Sequence, residues 1–182
     1  MIKALLSSLF LLKVFSFSPI DPPIIFQSEK SNIEITGTTN ISKWKSKVED
    51  FQIKAISQSS GQIEKIELIL YTNSIKSGHR PMDKMTQKSL KVENFPEITI
   101  IFDQINYSEN EVLMSGLINL AGISKEIQVK TQTTYIDNNL ILSGQAPINL
   151  NEFNICPPEA LFGSIRCNEN IIVDFSLRAK NS

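Results

Sequence analysis

The stretch Lys76–Phe102, KSGHRPMDKMTQKSLKVENFPEITIIF, decides the fold because it joins a helical pattern to a strand pattern. Its first part spaces apolar residues loosely among lysines, as an amphipathic helix does, and Pro81 suits a first helical turn. Pro96 disfavours helix just before it, and the EITIIF that ends the stretch alternates as a strand does. We therefore expect a short helix within Ser77–Asn94 that covers the end of a β-structure.

Outside this stretch the dominant hydrophobic period is two, which is the period of strands with one buried face. About eight such runs follow one another at short spacing, separated by turn residues, and this pattern favours an antiparallel barrel or sandwich. The alternating apolar positions are Ile33 and Ile35; Phe51, Ile53 and Ala55; Ile66, Leu68 and Leu70; Ile98, Ile100 and Phe102; Val112, Met114 and Ile118; Ile127 and Val129; Leu140, Leu142 and Ile148; and Ile171, Val173, Phe175 and Leu177.

Composition limits the classes of protein to consider. A chain of 182 residues with 41% hydrophobic residues suits one compact domain with a sizeable core. The 18 Lys and Arg residues balance the 19 Asp and Glu residues, so the basic excess of a nucleic-acid-binding protein is missing. We expect no nucleic acid among its partners, and the sequence leaves the oligomeric state open.

The N-terminus has the proportions of a secretory signal peptide. Lys3 precedes an apolar run, Ala4–Leu12, which is too short for a membrane span and is interrupted at Lys13. The expected organisation is a signal peptide over residues 1–18, a proline-rich linker over 19–29 and one domain over 30–179. An uncleaved anchor or a buried N-terminal segment is the alternative. Export predicts a periplasmic or extracellular location and no stable membrane span.

Five blocks of sequence, taken in order, resemble the YceI-like family of exported bacterial lipid-binding proteins. The blocks are Ser31–Asn40 with Trp44; Lys76–Gly78 with Met82–Lys84; Leu90–Lys91 with Phe95–Ile98; Ser115–Leu117 with Ala121, Gly122 and Lys125; and Phe153–Ile155 with Pro157, Pro158, Phe162 and Gly163. The resemblance implies an all-β fold, an eight-stranded antiparallel lipocalin-like barrel with a short helical excursion between strands. It also implies that the lumen holds a polyisoprenoid, an isoprenoid quinone or a similar long-chain amphiphile.

The inward positions of the strands and the apolar face of the helix are the predicted ligand-binding residues. They are Ile35, Ile53, Leu68, Met82, Met85, Leu90, Phe95, Ile100, Phe102, Met114, Ile118, Leu142 and Phe175. A barrel of about eight strands can enclose one small ligand or be filled by its own side chains. The alternative function is therefore a structural or interaction module of the cell envelope with a filled core. Trp44 could likewise plug the barrel end or line the ligand entrance.

The two cysteines and the single histidine are the remaining candidates for a special role. In an exported chain, Cys156 and Cys167 are expected to form a disulfide across a short loop, with two unlinked small side chains as the alternative. Two cysteines and one histidine are too few ligands for a zinc site, so no metal or other cofactor is expected. His79, Arg80, Lys84 and Lys88 are either solvated or donors to a ligand head group at the barrel mouth. Because recognisable nucleophile and phosphate-loop motifs are missing, an enzyme is not expected.

Overall fold

The structure, a computed structural model, describes residues 24–58, 62–109, 111–137, 139–160 and 163–180. Within these ranges the chain forms thirteen strands, one α-helix, α1 (Arg80–Ser89), and three short 3-10 helices. The strands are β1 (Ile25–Phe26), β2 (Asn32–Thr38), β3 (Lys43–Val48), β4 (Phe51–Ser57), β5 (Ile63–Tyr71), β6 (Ile75–Lys76), β7 (Glu97–Tyr107), β8 (Glu111–Leu120), β9 (Ile123–Ile136), β10 (Asn139–Asn149), β11 (Glu159–Ala160), β12 (Ile165–Arg166) and β13 (Asn170–Lys180). The predicted signal peptide, residues 1–18, lies outside the described residues.

Eleven of these strands form one antiparallel sheet that curls into a barrel-like wall. Its order is β4-β5-β7-β8-β9-β10-β13-β2-β3-β6, with β1 added to β13, while β11 and β12 form a separate ribbon. The all-β antiparallel prediction is confirmed, but the strand count differs from the predicted eight. The difference arises because two runs of chain are each divided by a bend into β3 and β4 and into β5 and β6, and because β1, β11 and β12 are only two residues long.

The two bends lie side by side and hydrogen-bond to each other. The backbone N–H of Tyr71 donates to the Asp50 carbonyl at 3.2 Å, and that of Glu49 donates to the Ser74 carbonyl at 3.0 Å. The buried Ser74 hydroxyl is within bonding distance of the Asp50 and Tyr71 carbonyls, at 2.9 and 2.7 Å. Because β4 pairs with β5 on one side of the bends and β3 pairs with β6 on the other, this paired bend joins the two ends of the sheet.

The wall is less complete between β9 and β10. These strands pair only from Ile136 and Asn139 as far as Thr131 and Gly144. Beyond that point residues 123–130 pair with β8, and residues 145–149 pair with β13. The sheet therefore divides towards the end of the barrel that α1 covers, which we call the mouth.

The N-terminal end of the described chain closes the other end of the barrel. β1 pairs with Ala179 and Lys180 at the end of β13 and also contacts β4, and Ile24 and Phe26 are buried. The predicted linker, residues 19–29, is thus part of the fold from residue 24 onwards, because its apolar residues cover an open strand edge. Residues 19–23 lie outside the described ranges.

The paired bend makes a prediction about stability. Replacing Ser74 by Ala (Ser74→Ala) removes a buried hydroxyl donor that joins the two bends, and we expect the free energy of unfolding to fall by about 1–2 kcal/mol. Urea denaturation followed by circular dichroism measures this change. Ser143→Ala, on the outer face of β10, is the matched control and should change stability by less. Equal losses in the two variants would show that the hydroxyl does not hold the bends together.

Candidate functional site: an apolar cavity

The inner faces of the strands enclose a cavity of about 300 Å³ at the mouth end of the barrel. Its wall is almost entirely apolar, and ten of the thirteen predicted ligand-binding residues lie on it. These ten are Ile35, Leu68, Met82, Met85, Leu90, Ile100, Phe102, Met114, Ile118 and Phe175. Residues predicted from the period-two pattern of the strands and from the helical pattern of α1 therefore line the same cavity.

The other three predicted residues, Ile53, Phe95 and Leu142, do not line the cavity. The Phe95 ring lies instead against Gly122 in the turn between β8 and β9, where a side chain on the glycine would overlap it. Leu142 is 2% exposed and belongs to the packed part of the interior, and Ile53 packs against the same core from β4. Facing inward is thus not sufficient, because the cavity occupies only part of the barrel's length.

Several residues that line the cavity were not among the predicted ligand-binding residues. Ala146 and Ile148 belong to the inward alternation of β10, so the sequence pattern could have identified them. Ile155 lies outside the strands and helices, where no hydrophobic period indicates which residues face inward. Trp44 also lies on the wall, which supports its role as a lining residue rather than an end plug. Its indole ring stacks over Gly37 on the paired strand, where any larger residue would collide with it.

Helix α1 covers the mouth with one face and is shorter than the predicted segment. Met82, Met85, Thr86 and Ser89 border the cavity, at the i, i+3, i+4 and i+7 spacing of one helical face. Proline occupies the first turn as expected. The helix ends before Lys91, whose φ of 53° is in the left-handed region.

A hydrogen-bonded latch fixes the start of α1 to the loop before it. The Asp83 carboxylate accepts from the Ser77 hydroxyl at 2.6 Å and from the Ser77 backbone N–H at 2.7 Å. These two bonds, first the hydroxyl and then the N–H, lower the pKa of Asp83 below its usual value. The carboxylate is therefore the form that holds α1, the lid of the cavity, in place.

The four predicted head-group residues lie on the solvent side of the lid. His79, Arg80, Lys84 and Lys88 are exposed, and none of them lines the cavity. Arg80, Lys84 and Lys88 follow one another at i+4 and form one exposed row, in which Arg80 and Lys84 lie opposite Met82. Lys88, at i+3 from Met85, lies at the edge of the apolar face. The structure thus separates the basic residues from the apolar wall, and a head-group site inside the mouth is not formed by them.

The two cysteines are free thiols in the structure, so the predicted Cys156–Cys167 disulfide is not formed in it. Cys167 lies on the cavity wall, where burial raises the pKa of its thiol, whereas Cys156 is exposed. The Cys167 backbone N–H donates to the Pro158 carbonyl at 3.2 Å, and Cys167 forms an isolated bridge with Thr39. This strand-like contact, rather than a covalent link, places the end of the loop against the mouth.

Polar chemistry around the cavity is sparse. Thr39, Ser42, Ser46 and Glu159 are its main polar lining residues besides the polar residues of α1. Among the residues that the structure describes, no group of three or more His, Cys, Asp or Glu side chains is placed to hold a metal ion. In the same part of the chain, no helix combines the length and apolarity needed to cross a bilayer.

Comparison with known proteins identifies the same fold. The sequence model of the YceI-like domain matches residues 25–179. Among solved structures, BcnA of Burkholderia cenocepacia superposes with a TM-score of 0.74 at 13% identity, covering 84% of this chain and 98% of BcnA. A search of curated proteins gave no match to this sequence.

Two further solved structures are similar over most of their length. A polyisoprenoid-binding domain from Saccharophagus degradans, described as implicated in plant cell wall breakdown, has a TM-score of 0.66 at 12% identity, over 88% of this chain and 98% of that domain. The YceI protein of Campylobacter jejuni has a TM-score of 0.62 at 14% identity, over 100% of this chain and 99% of its own. At these identities the likeness establishes the fold alone.

The latch predicts that the lid loosens in acid. Asp83→Asn should weaken both bonds from Ser77, and we expect faster amide hydrogen exchange in α1 with little change in the strands. Because the folded-state pKa is lowered, the stabilisation is present above the unfolded value of about 3.9 and is lost as pH falls through the lower, folded value.

The control for this prediction is the pH dependence itself. Protection of the α1 amides, corrected for intrinsic exchange, should fall below about pH 4 in the natural chain and stay flat in Asp83→Asn. Ser77→Ala should produce part of the same loosening and add little to it in the double variant. The same fall in protection in Asp83→Asn would show that another group controls the lid.

Proposed function

The chain belongs to the YceI-like family, and we propose that it binds a long-chain lipid of isoprenoid type in its cavity and carries it without chemical change. The observation that carries the proposal is a cavity of about 300 Å³ whose wall is almost entirely apolar and whose mouth is covered by an amphipathic helix. Ligand pockets in proteins begin at roughly this volume. The polyisoprenoid-binding domain of Saccharophagus degradans, which shares the fold, supports the ligand class.

The side chains of the mouth suit a flexible, branched hydrocarbon. Met82, Met85 and Met114 have unbranched, adaptable side chains that fill irregular apolar space. An isoprenoid chain presents methyl branches along a flexible stem, so a wall that can adjust favours it over a rigid ring system. The few hydroxyls, from Thr39, Ser42 and Ser46, could accompany a polar end group near the mouth.

The alternative function, a structural module with a filled core, is less well supported. Native interiors are packed to crystal-like density, and their voids are rarely larger than a water molecule. A cavity of about 300 Å³ exceeds such packing defects many times over. Maintaining it lowers stability, because its wall lacks packing partners. A bound chain would restore those contacts.

The same proposal includes export to the periplasm or the cell exterior. It rests on the N-terminal pattern of Lys3 and the apolar run Ala4–Leu12. A carrier in an aqueous compartment between or outside membranes would need a dry cavity to hold its lipid. Detection of the chain in the periplasmic or extracellular fraction, with its N-terminus shortened, tests this part directly.

Occupancy of the cavity is the first test. Protein purified from its own host should carry a lipid adduct in native mass spectrometry, and solvent extraction should identify an isoprenoid chain. Ala146→Phe would place a ring into the cavity from β10, and we expect it to remove the adduct while the protein stays folded. Ile172→Phe, on the exposed face of β13, is the matched control and should keep the lipid. Equal lipid content in both variants would contradict the proposal.

Cys167 offers a second, independent test because its thiol lies on the cavity wall. Bound lipid should slow its reaction with an apolar maleimide, whereas the exposed Cys156 should react at the same rate with and without lipid. Cys156 therefore serves as the control within the same molecule. We expect at least a tenfold slowing at Cys167, measured by peptide mass spectrometry. An unchanged ratio of the two rates on delipidation would place the lipid elsewhere.

A further inference from the structure

The outer face of α1 carries a concentration of positive charge that the cavity does not use. Arg80, Lys84 and Lys88 are all exposed and form one row along the helix, which we call the basic stripe. The segment 76–91 contains five Lys and Arg residues against one acidic residue, Asp83, and so has a net charge of +4 with histidine neutral. The whole chain has a net charge of −1, so the lid is oppositely charged to the rest.

These cations are not neutralised by the fold. The two ion pairs within the described residues are Lys45 with Glu34 and Arg166 with Glu159, and neither involves the stripe. The one carboxylate of the segment, on Asp83, is occupied by its two bonds from Ser77. Exposed like charges on one helical face repel one another at i+4. A negatively charged surface facing these cations would offset the repulsion between them.

The position of the stripe identifies which negatively charged surface fits. Its helix covers the mouth of an apolar cavity, and Met82 and Met85 on the opposite face contact the space where a lipid would lie. Ile41, at the tip of the turn between β2 and β3, is 68% exposed next to Ser42 at the same mouth. The outward surface at this mouth thus combines the basic stripe with an exposed apolar tip, and clustered Lys and Arg residues are attracted to anionic bilayer surfaces.

We propose that the basic stripe docks the mouth of the cavity onto the surface of an anionic phospholipid bilayer, from which the cargo enters. The inference rests on the proposed function, since it gives the lid a surface at which lipid is exchanged. It adds a partner, the anionic membrane surface, and assigns to Arg80, Lys84 and Lys88 a role outside the cavity.

Vesicle binding tests the proposal with the full chain. Sedimentation should show binding to phosphatidylcholine vesicles that contain about 30% phosphatidylglycerol and much weaker binding to phosphatidylcholine alone. Raising the salt concentration from about 0.05 M to about 0.5 M should release the protein, because attraction between exposed charges is screened. The N-terminal run carries Lys3 and Lys13 and so favours anionic vesicles by itself. The readout is therefore the difference between variants that all keep this run.

The decisive variant replaces the stripe by neutral residues that keep helix propensity, Arg80→Gln/Lys84→Gln/Lys88→Gln. We expect its partition onto anionic vesicles to fall roughly a hundredfold, at about fivefold for each charge. Lys54→Gln/Lys130→Gln/Lys180→Gln removes the same charge from exposed strand positions away from the lid and is the matched control. We expect the partition of this control variant onto anionic vesicles to fall severalfold less than that of the stripe variant.

The outcomes separate this proposal from the proposed function. If the stripe variant keeps its lipid adduct but loses vesicle binding, docking is supported. If the natural chain ignores anionic vesicles, or the stripe and control variants bind equally, docking is wrong even where lipid fills the cavity. Conversely, vesicle binding that depends on the stripe would support docking even if mass spectrometry found the cavity empty and so contradicted lipid carriage.

Discussion

The paired bend at Glu49–Asp50 and Thr72–Ser74 is the constraint on which the cavity depends. A twisted antiparallel sheet of long strands must either stay open or bring its two ends together. Here two neighbouring runs turn at the same level, and the bonds between their backbones allow β3 to pair with β6 after β4 has paired with β5. The Thr72 N–H also donates to the Pro96 carbonyl, at 2.8 Å, so the bend holds the start of β7 as well. The wall around the cavity is therefore fixed by backbone bonds rather than by filling the interior.

The two halves of the barrel have different roles. At the closed half, Val112, Leu140, Leu142 and Ala179 are buried without bordering the cavity, and β1 covers the strand edges. This half can supply the burial that stabilises the domain, at about 25 cal/mol for each Å² of apolar area. The half near the mouth leaves space between the same kinds of residue. The interior is thus packed at one end of the barrel axis and hollow at the other. Because Ala146 lies at the hollow end, a change there should affect lipid binding more than folding.

The sequence predicted the faces of the elements better than their positions along the barrel. Period two identified the inward residues of β7 and β8, since alternation is a property of each strand by itself. The axial level of Leu142 or Ile53 depends on the stagger between distant strands, which no local pattern contains. The sequence did, by contrast, contain the orientation of the basic residues. The i+4 spacing of Arg80, Lys84 and Lys88 predicts one row along the helix, and most of that row faces away from Met82. The expected Cys156–Cys167 disulfide is not formed in the structure, because a short loop between two cysteines does not by itself bring their thiols together.

The lid links cargo and surroundings through a single amphipathic helix. Moving α1 away from the mouth in water would expose the half-buried Met82 and Met85 further, together with the cavity wall, and exposing apolar area costs about 25 cal/mol for each Å². The Ser77–Asp83 latch adds to that cost, and both would keep a bound lipid enclosed in solution. Against a bilayer the exposed apolar surface would meet acyl chains, so the hydrophobic part of the cost would disappear while the basic stripe met the phosphates. The free energy of moving α1 away from the mouth would then be low only at the membrane surface, where lipid exchange would take place. At that surface only the Ser77–Asp83 latch would still have to be broken.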